Sequence, residues 1–407
     1  MCRMKHEQVS VAEVKNSTVY VAVKEAVGRI GGIGRFLKPG QSVILKPNYT
    51  GNVPEDSGGV TSCAVLESVI RLVQEAGAGT VTILEGCGTI ALGTRKIYEN
   101  LGVDRLAGRY GVRLLDANLQ DMCVRRDRRF RELSEVSVAE QVYDGSLIIN
   151  IPVLKTHPLV DVTVAMKNMN GLLSPYDKRH FHDLNLRRAI VDYHMVLPPY
   201  LTIVDGLIGM EGMGPVEGMP VPMGIIIAGG NPVAVDAVAA RIMGFDPEEI
   251  VYLREASDAG LGPVSEREIE VCGCTVQDVQ RKFAPAIPER VDYPGVTIHE
   301  GVSETKCIGC RAVMSIALNR IRAAGDLPDF QGMHVLINQA PVQDIFLAEG
   351  ERLFCIGMCT EAYGDRHKDD PRISYVPGCA PAGLTVEDAF RDTYGIKRKN
   401  VEMTAAR

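Results

Sequence analysis

Four cysteines in the C-terminal quarter of the chain have neighbours suited to holding a metal. Cys307-Ile-Gly-Cys310 is followed by Gly357-Met-Cys359 and then by Pro377-Gly378-Cys379-Ala-Pro381. A thiolate-bound centre needs backbone close to the sulfurs, and glycine and proline supply tight turns that leave room for it. Gaps of 48 and 19 residues separate one compact pair from two isolated cysteines, whereas zinc sites mostly come as two compact knuckles. A Cys-x-Pro ending is also commoner beside iron–sulfur clusters than in zinc knuckles. The pattern predicts a 4Fe–4S cluster on Cys307, Cys310, Cys359 and Cys379, with tetrahedral zinc and unliganded thiols as the alternatives. Cys355 sits inside the apolar run Leu353–Ile356 and is expected to pack as a small hydrophobe. Cys272-Gly-Cys274 closes another strand-like run without a further ligand nearby in sequence, so a structural role is expected there.

A second set of residues stands at the ends of strand-like runs, where open α/β sheets place their sites. Lys46-Pro47-Asn48 ends one run, Glu85-Gly86 the next, and Lys155-Thr-His157 a third. Lys167-Asn168 follows about ten residues later, then Lys178, His180 and His182; Asp205 ends a later run that leads to Glu211, and Asp236 lies beyond Asn231-Pro232. Each has a plain reading: Lys46 and Asn48 can close a turn, Asp236 can bond backbone, and Asn231-Pro232 suits a helix start. Lys155, His157 and Lys167 are different, because buried ammonium groups are costly unless they face an anion or act as proton donors with depressed pKa. Lys155, His157, Lys167 and His182 are the expected catalytic residues, the lysines holding the anion or donating protons and His157 or His182 moving protons. Lys46, Asn48, Asn168, Asp205, Glu211 and Asp236 are expected to bind a small anionic ligand, with a divalent metal bridging Asp205 and Glu211. The glycine-rich stretch 209–218 is expected to be a binding loop.

The elements that must position these residues alternate through the first 265 or so positions. Val9–Val14, Ser42–Leu45, Val81–Leu84, Val112–Leu115, Ser146–Ile151, Leu201–Val204 and Gly224–Ala228 read as strands. Apolar residues at helical spacing predict helices at Val21–Leu37, Ser62–Ala76, Leu184–Met195, Val233–Met243 and Glu248–Ala259. That alternation predicts an α/β fold with a largely parallel sheet and flanking helices. Periodicity fades over 275–300, with Pro285, Pro288 and Pro294, and a linker is expected there between an α/β domain at 1–274 and a small α/β iron–sulfur domain at 301–407. In the latter, helices are expected at Ala312–Ala324 and Leu384–Tyr394, and strands at His334–Asn338 and Arg352–Ile356.

Composition sets outer limits. The 407 residues are 46% hydrophobic and 23% charged, enough for a core in each of two domains. A formal charge of −7 argues against nucleic acid or an anionic membrane as partner. The opening MCRMKHEQ has no apolar signal core and no run of 18 apolar residues occurs, so a cytoplasmic protein is expected. Its eleven cysteines then read as reduced thiols and metal ligands, and a cluster would make it oxygen-sensitive. No GxGxxG follows a strand and no P-loop is present, leaving NAD, FAD and ATP without positive support.

Segments LKPN at 45–48, VLKTHP at 153–158, AMKNMNG at 165–171, IVDGLIGMEGMGP at 203–215 and GGNPVAVDAVAARIMGFDP at 229–247 resemble the domain-of-unknown-function 362 family, often joined to iron–sulfur modules. The resemblance covers about residues 8–265. The C-terminal cysteine unit is similar to one appended to some members, with a GxC block and a GC-x-P block, although Ala380 stands where a second proline is expected. The resemblance implies the α/β fold more firmly than any chemistry. Three functions fit these residues. One is an iron–sulfur redox enzyme that takes electrons from a partner protein and acts on a small anion. Another is a non-catalytic electron carrier or metallo-cofactor maturation factor, and the third a redox-neutral racemase or isomerase of a hydroxy acid.

Overall fold

The computed structural model describes residues 6–14, 17–88, 93–181, 184–216, 218–286, 293–301, 309–323, 330, 332–338, 344–378, 381 and 383–396. The chain divides into two units, Met1–Lys178 with Arg187–Ala286, and Arg179–Leu186 with Ile287–Arg407.

The first unit is built on a ten-stranded sheet. Its strands are β1 (Glu7–Glu13), β2 (Val43–Pro47), β3 (Val81–Glu85), β4 (Arg113–Asp116), β7 (Leu147–Ile151), β8 (Val153–His157), β9 (Asp161–Thr163), β10 (Leu201–Glu211), β11 (Met219–Gly229) and β12 (Ile269–Gly273). A separate antiparallel pair, β5 (Met122–Arg125) and β6 (Val136–Ala139), flanks the basic run at 125–129. The main order is β12-β1-β11-β10-β7-β2-β3-β4. From β10 to β4 all neighbours are parallel, which follows from the fully buried runs Val-Ile-Leu at 43–45 and Leu-Ile-Ile at 147–149: a strand covered by helices on both faces is apolar throughout. The mixed α/β architecture expected from the sequence is the one observed.

Three features depart from the expected elements. The helix Val19–Arg29 ends early, because Gly31 and Gly32 have φ of 105° and 77°, and only a short 3-10 turn, Ile33–Arg35, follows. The run expected to end at Val204 continues to Glu211 and pairs antiparallel with β11, with a bulge between Gly206 and Ile208. Residues 275–300 are also more than a connection. A capping box on Thr275 and Asp278 starts the helix Val276–Val279, and Phe283 donates its backbone N–H to Met243 O at 2.9 Å. Past 292 the chain forms the first strand of the second sheet.

That second sheet is four-stranded and wholly parallel, in the order β13 (Val296–Glu300), β14 (Met333–Ile337), β15 (Arg352–Ile356), β16 (Ile373–Val376). Phe354 meets Phe390 of the helix Gly383–Tyr394 edge to face. The opposite face buries Leu336, Leu347, Leu353, Cys355 and Tyr363 together. On β13 and β14, His299 Nε2 lies 2.8 Å from His334 Nδ1 with the rings stacked, and His334 Nε2 is 3.3 Å from Glu351 Oε2. Burial, then the neighbouring His334, lowers the His299 pKa. Among the described residues no helix is long and apolar enough to cross a membrane.

Candidate functional site

Strand β2 is buried on every side, so Lys46 is carried into the interior with it. Its Nζ donates to Glu85 Oε2 at 2.7 Å, to Pro47 O at 2.8 Å and to Asn168 Oδ1 at 3.5 Å. Burial lowers its pKa and Glu85 opposes that shift. The same Glu85 oxygen accepts Tyr49 N–H, and Oε1 accepts Gly86 N–H at 2.8 Å. Gly171 is required beside this pair: a Cβ there would lie 2.0 Å from Glu85 Oε1 and 2.7 Å from Lys46 Nζ.

Asn48 and Asn168 join Lys46 to Lys155. Asn48 Nδ2 donates to Asn168 Oδ1 at 2.8 Å, and Asn48 Oδ1 accepts Lys155 Nζ at 2.7 Å. Asn168 in turn donates to Asn150 Oδ1 at 2.7 Å. Lys155 also donates to Gly59 O and Pro215 O, at 2.9 and 3.2 Å, so all three of its protons are engaged. Burial first, then Lys167 nearby, pushes its pKa down to about 7. Pro215 arrives from the glycine-rich stretch 209–218, which folds onto β8: a Cβ on Gly214 would lie 2.2 Å from Thr156 O.

Lys167 and Asn168 ride on a single helical turn, Ala165–Asn168. An isolated turn is unstable in water, and Asp236 supplies what holds it. Its fully buried carboxylate accepts Ala165 N–H at 2.5 Å, Met166 N–H at 3.1 Å and Tyr252 OH at 3.1 Å. Asp236 therefore positions Lys167 and Asn168 and does not itself reach toward a ligand. Burial raises its pKa to about 7. Lys167 remains partly exposed; among the described residues no hydrogen bond or ion pair holds its ammonium, and burial pushes its pKa down to about 8. His157 accepts Leu159 N–H at Nδ1, which puts the ring proton of the neutral form on Nε2.

The two carboxylates expected to share a metal are drawn to different partners. Asp205 accepts Ser62 N–H and Oγ–H at 2.8 and 2.7 Å and Leu207 N–H at 3.1 Å, anchoring the start of the helix Cys63–Glu75. Glu211 accepts Ala284 N–H at 2.8 Å. Five residues of strand lie between them, a span of roughly 20 Å, so one ion cannot bridge both. His182 lies outside the described residues. Sequence reasoning passed over Glu85, Asn150 and Lys178 as site residues. Lys178 Nζ donates to Asn118 Oδ1 at 2.6 Å and Gly86 O at 2.8 Å, and burial pushes its pKa down to about 8. The signal that could have found Glu85 is its place at the end of an apolar strand beside the one carrying Lys46. An open groove of about 560 Å³ bounded by Arg241, Asp246, Glu266 and Gln280 belongs to a different part of the unit.

In the second unit the parallel strands bring the described cysteine loops to one edge. Cys310 stands in the first turn of the helix Gly309–Ala323, Cys359 in the turn Met358–Thr360 after β15, and Gly378 after β16. Met358 N–H donates to Gly378 O at 3.0 Å and Gly357 N–H to Val376 O at 2.8 Å, joining two of the loops. Gly357 has φ of 93°, and a Cβ on it would sit 2.5 Å from Cys310 Sγ. Bare backbone against sulfur is the cradle a thiolate-bound cluster needs, so this part of the cysteine set fits such a group. Cys307 and Cys379 lie outside the described residues. Among the described residues, no group of three or more His, Cys, Asp or Glu side chains could hold a metal ion. Cys355 is fully buried in the apolar cluster and burial pushes its thiol up to about 12; Cys272, on the edge strand β12, and Cys274, just past its end, are half-buried.

The class defined by these features is an α/β protein with a buried lysine–asparagine network at the C-terminal ends of a parallel sheet. Residues 43–241 match the family described as a domain of unknown function, DUF362. All of the network's lysines and asparagines fall inside that match. The chain is also similar to a thylakoid-associated protein of a Synechocystis strain, at 29% identity over 243 residues, covering 58% of this chain and 73% of the relative.

Proposed function

We propose that this chain binds a 4Fe–4S cluster through Cys307, Cys310, Cys359 and Cys379 and works as a cytoplasmic redox enzyme on a small anionic ligand. The observation that carries the cluster reading is the contact of Cys310 Sγ with the bare backbone of Gly357, at the edge that also holds Cys359 and Gly378. When bound, such a cluster supplies one-electron transfer, with a partner protein as electron source. In the first unit Lys167 meets the anion, because among the described residues no acceptor engages its ammonium. Lys46, Lys155, Asn48 and Asn168 form a desolvated positive floor, and His157 holds a transferable proton on Nε2. A second reading, an electron carrier or maturation factor, is favoured by the full engagement of Lys155 with protein acceptors; there the first unit recognises an anionic partner group without transforming it.

Anaerobic purification with iron, sulfide and EPR measurement tests the cluster. About four iron and four sulfide per chain is expected, and full content in Cys379→Ala would sink the assignment. Stoichiometric zinc without sulfide would instead favour a zinc site. Screening the reduced protein for oxidation by small carboxylates and phosphates separates enzyme from carrier. Lys167→Ala is expected to weaken ligand binding by roughly 2–4 kcal/mol, as when a buried charged contact loses one partner, with the cluster spectrum unchanged.

A further inference from the structure

Arg311 follows directly on Cys310 in the first turn of the helix Gly309–Ala323, and its guanidinium is drawn to a carboxylate. It is paired with Glu300 through Oε2, while Asn338 Nδ2 donates to Glu300 Oε1 at 3.1 Å. Both Glu300 oxygens are therefore engaged. Glu300 is the last residue of β13 and Asn338 the first after β14, at the same end of the parallel sheet as the turn after β15 that carries Cys359. Asn338 reaches Glu300 from a φ of 65°, a left-handed conformation that costs a residue other than glycine some strain and asparagine the least. The side chains of Arg311 and Glu300 are 23% and 31% exposed, so the pair is only partly in water. Two strand spacings, roughly 10 Å, separate β13 from β15. At that range a partly covered charge still acts on a neighbouring centre.

We infer that Glu300 compensates the charge of Arg311 beside the cluster and so holds its reduction potential low, with Asn338 fixing the carboxylate in place. This rests on the cluster reading and adds to it a charge-setting pair outside the cysteines. Four thiolates leave a 4Fe–4S cluster anionic, the more so after it gains an electron, and net charge is among the factors that set its potential. An arginine next to one ligand would by itself favour the reduced form; Glu300 offsets that. Arg311 has a second task, because the same pair ties the turn bearing Cys310 to the sheet edge. It is a positioning residue for that thiolate.

An EPR-monitored redox titration of the anaerobic full-length protein tests this in Glu300→Gln, Arg311→Gln and the double variant. Each single replacement removes one charge from one pair, so every other charge of the unit is common to the comparison. Relative to wild type, the midpoint is expected to rise in Glu300→Gln, to fall in Arg311→Gln and to return toward the wild-type value in the double variant. A pair with only a structural role would not move the two single variants in opposite directions. Shifts of one sign, or none, with iron content kept, overturn the inference while leaving the cluster standing. Absence of iron and sulfide from the wild-type chain overturns the cluster reading and this inference together. Where Arg311→Gln fails to retain iron, the cluster-free proteins decide. Cys310 in that variant is expected to react with iodoacetamide about fivefold faster than in wild type, read by peptide mass spectrometry, as local opening becomes easier. Arg311→Lys should restore the protection, and equal rates in all three proteins overturn the inference.

Discussion

Gly171→Ala is the single-methyl perturbation that bears most directly on the buried ion pair of the first unit. The new Cβ would fall 2.0 Å from Glu85 Oε1 and 2.7 Å from both Cε and Nζ of Lys46. Neither partner has somewhere to go. Glu85 is tied to Tyr49 and Gly86 backbone as well as to Lys46, and Lys46 is tied to Pro47 O. The side chains of the pair are 0% and 3% exposed, so separating them strands two charges away from water. Breaking a buried pair costs about 3–5 kcal/mol, and for a unit of this size each kcal/mol moves the midpoint by roughly 2–4 °C. The first unit's transition in a calorimetric scan of the full chain should therefore fall by roughly 6–20 °C. The double replacement Lys46→Met, Glu85→Leu removes the obstacle and supplies flexible side chains. In that background the added methyl should cost less than about 1 kcal/mol, a large departure from additivity. A midpoint for Gly171→Ala unchanged within error would refute the claim that this backbone position exists to admit the ion pair.

Gly357→Ala should remove most bound iron, since it adds left-handed strain of about 1–2 kcal/mol and displaces Cys310 Sγ, whereas Cys355→Ala should keep its iron; iron and sulfide analysis of the two variants checks both. His299 has its pKa lowered by burial and His334, so its stabilising contribution is present above the ordinary histidine value near 6.5 and is lost as pH falls through the lower folded-state value. His299→Gln should flatten that acid limb of the second unit's urea midpoint against pH, and an unchanged limb would count against the pair. Asp236 has its pKa raised to about 7, so its folded form binds a proton that the unfolded chain releases near pH 4. Its contribution is complete below that and declines as pH rises toward about 7, an effect of roughly 4 kcal/mol. The stability of Asp236→Asn should lack that decline, and the turn carrying Lys167 should become accessible to amide exchange.

The parallel core was legible because its strands are short apolar runs bounded by glycine and proline, and their polar ends pointed to Lys46, Asn48, Lys155 and Asn168. These do converge, through Asn48 as the link between two lysines. What the sequence hid were partners distant along the chain. Asp205 looks like a strand-end ligand, but its hydrogen bonds run to Ser62, 143 residues away. Asp236 looks like a helix residue of uncertain use until the turn 165–168 is seen resting on it. Glu85 was passed over because a glutamate before glycine ordinarily ends a strand in solvent. β13 was hidden for another reason: Val-Thr-Ile-His-Glu follows a proline-rich stretch and carries little apolar weight, so only its neighbour β14 stabilises it as a strand.

The long hairpin also fixes how Lys155 is covered. β10 and β11 have eleven residues each, roughly 36 Å of paired backbone, and their connecting loop is pinned to β8 through Thr156, whose hydroxyl donates to Gly212 O at 2.8 Å. Lifting that loop would mean unzipping the outer half of β10 from β8 and uncapping Lys155 at once. The hairpin thus walls one side of Lys155, while Lys167 and Asn170, away from that loop, are both half-covered. Asn170 Oδ1 is buried there without a hydrogen-bond partner among the described residues.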